Sequence, residues 1–141
     1  MTYEELELKH GDISAFESAE NPGWFPIEGK MFGGIKSVLA KYTIPLTSFI
    51  LAQEKEKFGE LRTYWDWSFD DESSSTENPV INSAKHEIDA VIDEAARESA
   101  NTCWKCGQPA TLQSRGWILP FCQTCAEQQN DYPSGFITNF M

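Results

Sequence analysis

The sequence predicts an α+β fold in which helices pack on a small antiparallel hairpin and a cysteine-rich finger closes the C-terminal end. Three observations lead there. Apolar residues recur every three or four positions over residues 79–100, an aromatic-rich alternation of period two runs through residues 49–68, and all four cysteines fall between residues 103 and 125. At 141 residues the chain has the length of one domain. It reads as an acidic α+β region over 1–102 and a finger region with its tail over 103–141, packed together as one globular unit.

Residues 3–9 form a short acidic helix, and "GDISAFESAENPG" reads as loop because Gly, Asp, Ser, Asn and Pro break any period. From Trp24 the apolar positions Ile27, Met31, Ile35, Val38, Leu39 and Tyr42 trace one helical face, although Gly29, Gly33 and Gly34 each weaken a helix by up to about 1 kcal/mol. Pro45 stops it.

Phe49, Leu51 and Gln53 then point one way and Ile50, Ala52 and Glu54 the other. Leu61, Thr63, Trp65 and Trp67 alternate with Arg62, Tyr64, Asp66 and Ser68, so two strands joined through "KEKFG" are expected. A lone hairpin is marginal and must pack on the helices. "DDESSSTENP" is acidic, Ser-rich and solvated. Asn78 then caps and Pro79 opens a helix whose stripe is Ile81, Ala84, Ile88, Val91, Ile92 and Ala95.

Cys103-x2-Cys106 and Cys122-x2-Cys125 are separated by 15 residues, the spacing of a two-knuckle tetrahedral zinc site. Each Cys-x-x-Cys turn brings two sulfurs to one ion while backbone N–H groups soften the thiolate charge. Gly107 supplies the permissive backbone after the first knuckle. "ATLQ" and "WILPF" flank "SRG" as a short hairpin, and "CAEQQND" carries Cys125 on a first helical turn. Knuckle, hairpin and helix start together describe a treble-clef or zinc-ribbon-like finger, with Trp104, Trp117 and Phe121 expected to shield the metal. Four thiolates leave no open coordination position, so the expected zinc is structural. Rubredoxin-like iron uses the same ligands, and redox dithiols are a further alternative.

Little else carries chemistry. His10 and His86 are the only histidines, with His86 expected on a solvated helix face. No Gly-rich phosphate loop, His-Glu-x-x-His run or Gly-x-Ser-x-Gly elbow occurs, so no catalytic constellation is identified. No apolar run approaches the roughly 20 residues of a membrane span. "MTYEELELKHGD" has neither the basic start nor the apolar stretch of a secretory signal, and a cytoplasmic address is expected.

The net charge of −11 is uneven: residues 63–102 hold ten acids against Lys85 and Arg97, whereas residues 21–62 hold six bases and four acids. Such a field repels phosphate backbones and suits a basic protein partner. Asp70, Asp71, Glu72, Glu87, Asp93 and Glu94, with Trp65 and Trp67, are the candidate contacts. The alternative is a nucleic-acid face built from Lys55, Lys57, Arg62, Lys105 and Arg115, where bases interleave with aromatics. Glu54, Glu56 and Glu60 are expected to cancel most of its charge.

"PGWFPI", "LAQEKEKFGELRTYWD", "CWKCGQPATL" and "RGWILPFCQTC" together resemble a widespread set of uncharacterised small proteins of bacteria, prophages and phages. The likeness spans roughly residues 22–126 and is most specific at Lys55–Arg62 and Cys103–Gly107. Members often end the finger in Cys-x-x-His where Cys125 stands here, and either residue ligates zinc. The resemblance implies the architecture and a mobile-element setting. Small size, strong acidity and the lack of a catalytic set give the expected function: a non-enzymatic protein-binding module, such as an anti-defence inhibitor or toxin-immunity protein that occludes a basic site on a host or toxin protein.

Overall fold

In a computed structural model that describes residues 2–13, 21–69 and 78–138, the chain forms four helices and five short antiparallel strands. The first helix, α1 (Tyr3–His10), is capped by Thr2, whose side chain accepts from the Glu5 N–H. A 3₁₀ turn, Pro22–Trp24, leads into α2 (Phe25–Lys41). Helix α2 buries more than the predicted stripe: Phe25, Glu28 and Phe32 are inside along with Ile27, Met31, Ile35, Val38 and Leu39. It is sandwiched between α1 on one side and, on the other, the long helix α3 (Pro79–Ala100). Its end is a Schellman cap: Ile44 N–H bonds Leu39 O, Thr43 N–H bonds Ala40 O, and Thr43 takes the left-handed conformation.

Helix α3 starts as its sequence predicts. Asn78 Oδ1 accepts from Val80 and Ile81 N–H groups, and Pro79 occupies the first turn. Ala84, Ile88 and Ala95 are buried, with Val91 and Ile92 half-buried behind them. Close packing on α2 is set at Gly34, where a Cβ would lie 3.0 Å from Val91 Cγ1.

The strands β1 (Phe49–Lys57) and β2 (Glu60–Trp67) form an antiparallel hairpin that packs on α3. Leu61 is buried, and its N–H donates to Ser99 Oγ at 2.7 Å, which fastens β2 to α3. The predicted faces of β1 need correction. A β-bulge between Leu51 and Gln53 re-phases the strand, so the inward row is Phe49, Leu51, Glu54 and Glu56, opposite Trp67, Trp65, Thr63 and Leu61. One extra residue turns every later side chain over. Gln53, Lys55 and Lys57 therefore point to solvent. The turn is also tighter than expected: Phe58 and Gly59 alone connect the strands, both with positive φ, the pattern of a type I′ hairpin.

The C-terminal finger is a first knuckle at 103–106, then β3 (Leu112–Ser114), β4 (Pro120–Phe121), the short helix α4 (Gln123–Glu127) and β5 (Phe136–Ile137). The expected hairpin is β3–β4, with Leu112 opposite Phe121; β5 pairs on the other edge of β3, an addition that no sequence signal announced. This is the treble-clef arrangement of knuckle, hairpin and helix start. Two cores meet at Trp104, which packs against both the helical cluster around Trp24 and Leu39 and the finger cluster around Leu112 and Phe121. No helix is long and apolar enough to cross a membrane among the described residues.

Candidate metal centre and the surfaces around it

The knuckle is built by backbone bonds that bend the chain back on itself. Cys103 N–H bonds Gln108 O at 2.7 Å and Gly107 N–H bonds Cys103 O at 3.0 Å, while Gly107 adopts φ +86°. The "GW" segment far upstream locks onto it. Gly23 N–H donates to Trp104 O at 2.8 Å, and Trp24 Nε1 donates to Thr102 O at 3.0 Å. A Cβ on Gly23 would sit 2.1 Å from Cys103 O and 2.7 Å from Gly107 N, so only glycine lets α2's entry approach the knuckle this closely. Trp24, fully buried, contributes about 3 kcal/mol of apolar burial at the same seam.

Cys122 and Cys125 come from the opposite side. Cys122 is the N-cap of α4, its Sγ accepting from Cys125 N–H at 3.4 Å, and Cys125 lies in the helix's first turn. All four Sγ atoms lie within 4.8 Å of one another, with Cys106 and Cys122 sulfurs 3.5 Å apart. A tetrahedral thiolate shell with zinc-length bonds needs sulfurs about 3.8 Å apart, so the arrangement fits a bound ion with little adjustment. The donor chemistry fits too. At Cys103 burial opposes ionisation, but backbone N–H groups of Cys122, Cys106 and Lys105 outweigh it and pull the thiol below its usual range. Burial, followed by the neighbouring sulfurs of Cys122, Cys106 and Cys103, pushes Cys125 well above that range. Four sulfurs from two knuckles that converge in this way could hold one metal ion.

The expected shield is only partly in place. Phe121 is buried against Phe136, and Trp104 covers one flank with Lys105 Nζ 5.4 Å from its ring centroid. Trp117 is instead 75% exposed at the tip of the finger loop. Its Nε1 donates to Glu56 Oε1 at 2.6 Å, and Glu56 Oε2 accepts from Gly59 N–H at 3.0 Å. One carboxylate thus ties the hairpin turn to the finger loop, where Ile118 also packs on Gly59.

The candidate acidic contacts are dispersed. Asp70, Asp71 and Glu72 lie outside the described residues. On α3, Glu87 pairs with Lys41 and accepts from the Tyr42 hydroxyl, Glu94 pairs with Arg97, and Glu98 pairs with Lys30. Asp89 bonds both Lys85 and Trp65 Nε1. Asp93 alone among them is exposed without an ion pair within the described residues. Trp65 and Trp67 are half-buried in an aromatic row with Phe49 and Phe69. His86 is exposed on α3, as its position off the apolar stripe predicts.

Two buried titratable features escaped the sequence reading. His10 is buried beside Phe32 with neither ring nitrogen bonded among the described residues; burial, then Lys36 and Lys9, lower its pKa against Asp12 and favour the neutral ring. Glu28 is 3% exposed, accepts from Asn21 Nδ2 at 3.1 Å, and stands beside the Glu54 carboxyl group. Glu28 follows Trp24 by four and precedes Met31 by three, so it occupies a stripe position that periodicity assigns to the core. Glu54 reaches it only through the bulge. No family model, curated protein or solved structure matches this chain.

Proposed function

We propose that this chain is a non-enzymatic binding module held together by structural zinc, acting in the cytoplasm on a cationic protein partner. The observation that carries the reading is the closed set of four cysteine sulfurs. With every tetrahedral position taken by thiolate, zinc would fix the knuckle to α4 and leave no place for a substrate or activated water.

The charge of −11 selects the partner class, because it steers association with a basic protein and disfavours other acidic ones. Since Glu87, Asp89, Glu94 and Glu98 are neutralised in place, the acids of α1 and the acid-rich sequence 70–77, together with Asp93, are the candidates for the free negative potential. Occlusion of a basic site, as by an anti-defence inhibitor or an immunity protein of a mobile element, is the role that these properties suit. Affinity capture of the zinc-loaded chain from the native host at low salt tests it. A stoichiometric complex with a cationic protein, dissociating as salt rises, is expected; capture of no protein at any salt contradicts it.

A further inference from the structure

The bulge in β1 sorts the charges of the hairpin in a way that composition hides. Glu54 and Glu56 turn inward, one toward Glu28 and the other onto Trp117 and Gly59. Lys55 and Lys57 are left on the solvent face, and Lys55 stands directly across the ladder from Arg62. Like charges placed opposite each other in a sheet repel. Glu60, directly across the ladder from Lys57, pairs with Arg62, and neither lysine has an ion pair among the described residues.

The turn next to these cations is costly in a second way. Phe58 holds φ +55°, a region that bulky residues avoid, and its ring is 71% exposed, so the strain gains no burial. Lys57 Nζ lies 5.7 Å from the ring centroid. The Glu56 bridge brings the finger loop to the same place, adding Trp117 and the exposed Arg115, which has no ion pair among the described residues. Neither Phe58 nor Trp117 packs on another ring among the described residues, and both rings are largely exposed, Lys57 Nζ standing over one face of Phe58.

Two cations set opposite each other on one strand face, beside an exposed Phe58 ring held at a conformational cost and an exposed Trp117 ring, have no explanation in the fold itself. From this juxtaposition we propose that the hairpin face and finger tip, through Lys55, Lys57, Phe58, Arg62, Arg115 and Trp117, bind single-stranded nucleic acid. The cations would take successive phosphates and the two rings would stack on bases, a sequence-tolerant mode. A single strand fits better than a duplex because stacking needs bases with free faces. The site is separate from the acidic surface invoked for a protein partner, and neither reading depends on the other.

The test is fluorescence anisotropy of a labelled oligothymidylate about twelve nucleotides long, titrated with the zinc-loaded full chain, with unlabelled duplex and polyglutamate as competitors. Saturable binding is expected, with log affinity falling against log salt at a slope of about −3, as for four phosphates on a single strand. The exposed pair K55E and K57E together should weaken binding at least about tenfold while leaving the melting temperature unchanged. Phe58→Asn, which tolerates the left-handed turn, should weaken binding about threefold or more without loss of stability. Absence of binding at low salt, an unchanged affinity in the charge-reversed variant, or equal competition by polyglutamate, which would mark a surface for acidic proteins, overturns the proposal.

Discussion

Glu28 of α2 and Glu54 of β1 bring two carboxyl groups together across the seam between helix and hairpin. Two carboxyl groups can bond only if one is protonated. Burial, reinforced by the Glu54 charge and hydrogen bond, pushes Glu28 up to about 9, while burial lifts Glu54 up to about 7 against the bond from Glu28. Glu28 is therefore the donor near neutral pH. Tyr3 and Glu7 of α1 are the charged or titratable groups linked to this corner from the other side, with burial and then both Glu7 and Glu28 raising the Tyr3 pKa.

The pair makes stability fall as the medium turns alkaline. Both folded-state values lie above the ordinary 4.5, so the native chain holds protons that the unfolded chain has released. The contribution is complete below about pH 4.5 and is lost as pH rises through 7 toward 9. Glu28→Gln keeps a donor for Glu54 and an acceptor for Asn21 yet has no proton to lose. Urea titrations should show it about 1–3 kcal/mol more stable than the parent at pH 8 and no more stable at pH 4.5. A parallel pH profile for the two proteins contradicts a proton held on Glu28.

How far the sequence foretold this architecture varies with the kind of signal. Local chemistry was legible: Asn78-Pro79 opens α3, Pro45 lies just beyond α2, and the cysteine spacing brings four sulfurs together. The faces of β1 were not, because Ala52 carries no mark of a bulge, and a one-residue slip exchanges Gln53 for Glu54 inside. Trp117 was expected beside the metal because aromatic residues near a finger usually pack there. Its partner, Glu56, is 61 positions away, and no local pattern reports such a bond.

Gly23 should resist every substitution. Gly23→Ala pushes a methyl into Cys103 O and Gly107 N, both backbone atoms that cannot swing away. A loss of about 3 kcal/mol is expected from overpacking against fixed backbone. Because the clash falls on the knuckle, a competition titration with a chelator should also show weaker metal retention. Unaltered retention would mean that α2 does not brace the finger.

Ser99 fixes the hairpin to α3 through one buried bond. In Ser99→Ala the Leu61 N–H loses its acceptor in a dry setting, at a cost of about 1–3 kcal/mol. Hydrogen exchange at Leu61 should accelerate by a matching factor. Unchanged exchange would show that another group replaces the hydroxyl.

Phe58 should be a stability liability. Phe58→Gly relieves the left-handed backbone and sacrifices almost no burial, so a gain of about 0.5–1 kcal/mol is expected in thermal unfolding. A loss on substitution would mean that the ring stabilises the fold by contacts other than those seen.

The most direct test of the whole account is native mass spectrometry of the purified chain, paired with thermal melting before and after a strong chelator. One zinc per chain is expected, with its removal lowering the melting point steeply and unfastening residues 103–127 from α2 and α3. A metal-free chain that melts at the same temperature would contradict the claim that four cysteine sulfurs and one ion hold the C-terminal third in place.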